Sequence, residues 1–223
     1  MAVIHSNTTV TPGKLELLTA WLPSRDWYLG GPGEPELVKA GGFRLDDPQG
    51  EVGIEFMVAR DSSGAEPTDY LVPLTYRGAP LAGAEEALVG TMEHGVLGPR
   101  WAYDGCHDPV LVAELAALIE GRAAAQAQGV SHTLDHEVVR SYSGRGLAAA
   151  DPATAAAKAT DSREATEVPL APGVTLRLPR VLRPVADGEP VPPAGAAGHV
   201  AGAWRAPDGG RVRGIFAVLT SGS

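Results

Sequence analysis

A chain of 223 residues with 44% hydrophobic and only 5% aromatic side chains has room for one domain or two small ones, and at this size roughly two-thirds of the unfolded surface can be buried. It is too short for a complete eightfold β/α barrel, which takes about 250 residues. The net charge of −9 argues against a nucleic-acid partner and is concentrated at the front: residues 1–128 carry 8 basic and 18 acidic groups, residues 129–223 carry 10 and 9.

Thr11-Pro12 has the form of a helix cap followed by proline at the first helical position. Leu15, Leu17, Leu18, Trp21 and Leu22 follow at helical spacing, so residues 12–22 are expected to form a short amphipathic helix that Pro23 ends. Gly30-Gly31-Pro32-Gly33 reads as a turn. It has neither the Gly-Lys-Ser/Thr of a phosphate loop nor the preceding buried strand of a dinucleotide site. Leu37–Leu45 reads as an irregular strand. Gly50–Arg60 is the clearest one, with Val52, Ile54, Phe56 and Val58 on one face and Glu51, Glu55 and Met57 on the other. Tyr70, Val72, Leu74 and Tyr76 repeat the period, which predicts an antiparallel hairpin, and Pro73 marks its second strand as an edge or a bulge.

Asp108-Pro109 starts a second helix, lined by Val112, Leu115, Leu118 and Ile119 and expected to run to about Gln128, before Gly129. Residues 143–168 contain no aromatic residue and many small ones, the composition of a flexible linker with a marginal alanine helix near 153–160. Val174, Leu176 and Leu178 then alternate with polar residues. Val200–Arg205 and Arg211–Leu219 form a hairpin through Pro207-Asp208-Gly209-Gly210. There is no internal repeat.

The chemistry-bearing residues are few. Cys106 alone excludes an internal disulfide or a multi-thiolate metal site and suits a reducing compartment. With no signal-peptide pattern at Met1–Val10 and no run near the roughly 18 apolar residues of a membrane span, the expected location is cytoplasmic. Glu93, His94, Asp104, Cys106, His107 and Asp108 are the densest set of metal-ligand types, but their spacing matches no zinc pattern, and Asp108 is the expected helix cap. His107 next to Cys106 points away from it in most backbones, which disfavours a catalytic thiol. His132 and His136, four apart beyond a helix stop, read as solvated histidines, and no Gly-x-Ser-x-Gly elbow occurs. Neither metal nor cofactor is expected, and no residue is assigned a catalytic role. Trp21, Arg25, Trp27 and Tyr28 are the main aromatic concentration. They either plug a core or form a platform for a protein or a sugar.

Trp21-Leu22-Pro23-Ser24-Arg25-Asp26-Trp27-Tyr28-Leu29-Gly30 resembles the opening of the maltokinase N-terminal cap domain, which runs Trp-Leu, a few residues, then Arg-x-Trp-Tyr-x-Gly. Tyr103-Asp104-Gly105-Cys106-His107-Asp108-Pro109 is similar to that family's Tyr-Asp-x-x-x-Asp-Pro segment entering a helix. The resemblance covers roughly residues 12–128 and, more loosely, the C-terminal strands. In the family the cap precedes a bilobal kinase that uses ATP and magnesium to phosphorylate maltose, in metabolism linking trehalose, maltose 1-phosphate and glycogen-type α-glucan. Cap-like proteins also occur by themselves in actinobacteria, often under the label 1,4-alpha-glucan branching. This chain lacks a His-Gly-Asp-type catalytic loop with its downstream asparagine, so phosphoryl transfer is not expected of it. It is also too short for the barrel of a branching enzyme.

The expected fold is α+β: a small antiparallel sheet with helices packed on one side over residues 1–128, a connecting segment over 129–168 and a β-rich segment over 169–223. Whether the last strands join the first sheet stays open. The resemblance implies a non-catalytic accessory protein of α-glucan, trehalose and maltose 1-phosphate metabolism. Such a protein is expected to dock onto an enzyme of that pathway through Trp21, Arg25, Trp27 and Tyr28, with no membrane or nucleic-acid partner expected. A maltooligosaccharide-binding module is the alternative, and an enzyme of unrecognised type the third reading.

Overall fold

The computed structural model describes residues 9–130, 133–144, 147, 151–185 and 188–221. In chain order the elements are β1 (Val10–Thr11), α1 (Lys14–Trp21), β2 (Leu37–Asp46), β3 (Gly53–Asp61), β4 (Thr68–Arg77), β5 (Leu88–His94), β6 (Gly98–Asp104), α2 (Pro109–Glu120), β7 (Gln126–Ala127), β8 (Val139–Tyr142), α3 (Pro152–Ala157), β9 (Thr160–Asp161), β10 (Ala165–Ala171), β11 (Val174–Pro179), β12 (Ala196–Arg205) and β13 (Arg211–Ser221). The fold is therefore β-rich, and the expected α+β architecture with packed helices is corrected. The strands after residue 160 enter the first sheet, and the three α-helices are short. No helix is long and apolar enough to cross a membrane.

The strand order is β1-β5-β6-β4-β3-β2-β12-β13-β11-β10-β9, with β7 on β2 and β8 on β12, and all pairings are antiparallel. The middle of this order closes on itself. Just past β11, the carbonyl of Arg180 accepts from Leu71 N–H at 2.9 Å, and Leu182 N–H donates to the Asp69 carbonyl at 2.8 Å. Strands β4, β3, β2, β12, β13 and β11 thus form a ring. Its β2–β12 seam is one residue pair, Trp204 against Gly41, where a Cβ on Gly41 would lie 2.8 Å from that of Trp204. The outer edge of β4 is divided: residues 69–71 meet the chain after β11, and residues 74–77 pair with β6. Pro73 falls in the gap. Leu71 N–H points to the outer edge, and two residues on the missing N–H of Pro73 points the same way, where no partner strand needs it.

Inside the ring, Phe43 stacks on Phe56 at 4.5 Å, and Phe216 joins Phe43 and Trp204 at 5.9 Å each. Filling by large side chains is what a small ring of strands requires. Leu111, Leu115, Leu118 and Ile119 of α2 and Ala155 and Ala156 of α3 extend the same core. A second core lies on the opposite face of β3 and β4, where Met57, Ala59, Tyr70, Val72 and Leu74 meet Leu18, Trp21, Leu22 and Trp27. The alternation read from β3 is correct, yet both its faces are buried, including Glu55.

Two helix limits differ from expectation. Gly13, not Thr11, caps α1. α2 stops at Gly121, whose φ of +82° suits glycine, and not near Gly129. In the alanine-rich segment the described residues 151–168 are packed helix and strand, since alanine lets α3 sit close against α2. Asp208 and Gly209, with φ +86°, form the turn between β12 and β13 as expected.

Candidate functional site

The four residues of the expected docking surface divide in two. Trp21 and Trp27 are core: Trp27 is fully buried, 5.7 Å from Trp21 and 5.9 Å from Tyr70, with the Arg180 guanidinium 4.9 Å from its ring centroid. Arg25 and Tyr28 are half-exposed. The Arg25 guanidinium lies 4.9 Å over the Trp21 ring and donates to Ser24 Oγ at 3.0 and 3.1 Å. Tyr28 packs on Tyr70 at 5.6 Å and donates its hydroxyl to Asp61 Oδ2 at 2.7 Å. Burial, then the bond to Asp61, pushes this phenol up to about 12. Asp61 also accepts from the N–H groups of Glu36 and Ser63, at 2.9 Å each. Burial alone would raise its pKa, but the bonds from Ser63 and Tyr28 hold it below the ordinary value. Together these contacts seat the loop after α1 on the outer face of the sheet.

The second motif is likewise occupied. Asp104 accepts from Cys106 N–H at 3.2 Å, and the buried Arg180 guanidinium donates to it at 2.5 Å. Asp108 caps α2 through Val110 N–H at 2.9 Å and receives two bonds from Arg77, both at 2.6 Å. Gly105 is required where a Cβ would lie 2.2 Å from Leu111 Cδ1. Cys106 is buried, and burial pushes its thiol well above the usual range, opposite to an activated nucleophile.

Of the metal-ligand types that lie close in sequence at residues 93–108, Glu93 and His94 lie at the end of β5, away from the turn after β6. Asp104 and His107 do approach Asp161 of β9, with ligand atoms within 4.8 Å of one another. Arg180 already pairs with both carboxylates of that cluster, 2.5 Å from Asp104 and 3.6 Å from Asp161, and donates to Thr166 Oγ1 at 2.6 Å. A cation there would sit against a buried guanidinium, so these residues fit an ion-paired clasp and not a metal centre. His136 is exposed, and its proposed companion His132 lies outside the described residues.

Sequence reading missed the groups that hold the site together. Arg180 offered no motif, and its partner Asp104 lies 76 positions away. In the sequence Glu55 stands out only as a member of the second face of its strand, with Glu51 and Met57. It is buried and bound by Lys14 Nζ at 2.5 Å, Lys39 Nζ at 3.0 Å, Tyr76 Oη at 2.8 Å and Gln128 Nε2 at 3.2 Å. Burial raises its pKa, but the two ammonium groups more than reverse this and bring it from 4.5 down to about 2. Because the folded value is depressed, the stabilisation from Glu55 is complete above about pH 4.5 and is lost as pH falls toward about 2, a change of roughly 3 kcal/mol. Urea unfolding followed from pH 5 to pH 2 is expected to lose stability more steeply in the wild type than in Glu55→Gln; parallel profiles would contradict this.

Residues 21–108 match the family model described as the maltokinase N-terminal cap domain. No curated protein matches the chain. The resemblance carried by Trp21–Gly30 and Tyr103–Pro109 therefore holds from the end of α1 to the cap of α2. The matched span is narrower than residues 12–128, and β11, β12 and β13 of the ring lie outside it.

Proposed function

We propose, from the cap-domain match over residues 21–108, that this protein is a non-catalytic accessory of α-glucan, trehalose and maltose 1-phosphate metabolism, docking onto an enzyme of that pathway in the bacterial cytoplasm. The match is the observation that carries the reading. The site chemistry supports it: the motif carboxylates Asp104 and Asp108 are bound by Arg180 and Arg77, and Cys106 is buried. These groups maintain a shape and leave binding to the surface around Arg25, Tyr28 and Leu29.

Affinity capture from native lysate, with the full chain as bait and an unrelated protein as control, tests the reading. Recovery of a maltokinase, trehalose synthase, maltosyltransferase or branching enzyme is the expected result, and bait alone would count against it. The oligosaccharide alternative has lost the two indole faces it would use, since Trp21 and Trp27 are core. Calorimetric titration with maltoheptaose is accordingly expected to give no heat of binding at millimolar sugar. A saturable exotherm would reinstate that alternative.

A further inference from the structure

The geometry points to Leu29 as the apolar anchor of the docking surface and to a basic protein surface as its partner, with the acidic loops 25–36 and 61–67 supplying the complementary charge. This deepens the docking reading above and rests on it.

Leu29 is 61% exposed, but its backbone is fixed. Its N–H donates to Tyr70 Oη at 2.9 Å. On one side Tyr28 is bound to Asp61 and packed on Tyr70. On the other is Gly30, where a Cβ would fall 1.8 Å from Tyr28 Oη. The motif thus turns tyrosine inward, closes on glycine and holds the leucine out. An aliphatic side chain on a pre-set backbone has little backbone freedom left to lose when it enters a pocket.

The two loops form one surface. Ser62 N–H donates to the Glu36 carbonyl at 3.1 Å, and a Cβ on Gly31 would be 2.7 Å from the Ser63 carbonyl oxygen. Residues 25–36 and 61–67 contain Asp26, Glu34, Glu36, Asp61 and Glu66 against the single cation Arg25. Asp61 is turned inward to its hydrogen bonds, whereas Asp26, Glu34, Glu36 and Glu66 are exposed. An exposed apolar side chain on adjoining loops that carry four exposed carboxylates steers toward a partner with an apolar pocket edged by lysine and arginine, and repels anionic lipid or nucleic acid. A second copy meeting this face symmetrically would set like charges against each other.

Photo-cross-linking in the full chain tests the assignment, with Leu29→p-benzoylphenylalanine compared with Val191→p-benzoylphenylalanine at a residue that is 85% exposed elsewhere. In native lysate, position 29 is expected to give a discrete adduct that position 191 does not, with the cross-linked partner peptide in a lysine- and arginine-rich stretch. Its yield is expected to fall about fivefold between about 50 and about 500 mM NaCl. A similar loss is expected in the D26N/E34Q/E36Q/E66Q variant, whose unchanged thermal melt establishes that it is folded. A self-adduct, an acidic partner peptide, a yield indifferent to salt or no adduct at position 29 would each overturn the assignment. If position 29 gives nothing while affinity capture still returns a pathway enzyme, the docking reading survives and only this surface falls.

Discussion

Arg180→Met is expected to lower the free energy of unfolding by about 3–5 kcal/mol, a large part of the roughly 5–15 kcal/mol that holds a typical domain folded. The guanidinium is completely buried. It bonds Asp104 at 2.5 Å and Thr166 at 2.6 Å, and its carbon lies 4.9 Å from the Trp27 ring centroid. Methionine would keep much of the volume and leave Asp104 as a buried carboxylate with only Cys106 N–H among the hydrogen bonds described above. The backbone carbonyl of the same residue closes the ring against Leu71, so the clasp lies directly at the seam. Urea denaturation of Arg180→Met, Asp104→Leu and the double variant provides the check. The double variant is expected to recover part of the loss, because neither charge is then stranded. A loss below about 1 kcal/mol in the single variant would show that the clasp contributes little.

A fragment ending at residue 128 is expected not to fold cooperatively, although it contains all of the cap-domain match. It would keep β2, β3 and β4 and discard β11, β12 and β13, so Phe43 and Phe56 would lose Phe216 and Trp204, and Trp27 would lose Arg180. Removing a buried phenylalanine or tryptophan typically costs about 3–5 kcal/mol, and this truncation removes two at once with half the ring. Amide dispersion in a two-dimensional NMR spectrum of the fragment, beside that of the full chain, decides the matter. Well-dispersed peaks and a sharp urea transition would refute the expectation.

Local pattern made β3, β4, the β12–β13 hairpin and the start of α2 legible, because period-two alternation, a glycine-rich turn and an Asp-Pro cap act between near neighbours. The two motifs were legible as resemblances, and the structure gives their physical content: Trp27, Gly30, Gly105 and Asp108 are demanded by packing, close approach and capping. What stayed hidden depends on distant partners. The alternation put Glu55 with Glu51 and Met57 on the second face of its strand, but its burial there depends on α1, and the helical periodicity that marks α1 does not say which face of the sheet it covers. Trp21 and Trp27 were open to either reading for the same reason. The fold class was misjudged because closure needs Arg180–Leu182 against Asp69–Leu71, a pairing with no signal in either segment. In the alanine-rich stretch the helix expected near 153–160 is α3, but composition did not show that it packs on α2, because small residues describe a linker and a closely packed helix equally well.

The divided edge of β4 also bears on how the protein is made. Leu71 must wait for Arg180, 109 residues later in the chain, which at about 5–20 residues per second is a wait of roughly 5–20 seconds on the ribosome. Throughout that interval the nascent chain presents an unfinished strand, the kind of surface on which neighbouring polypeptides misassemble. Pro73 stands in the middle of that strand with no N–H to offer, so the residue that marks the gap in the finished ring also makes the waiting edge a poor template for another chain.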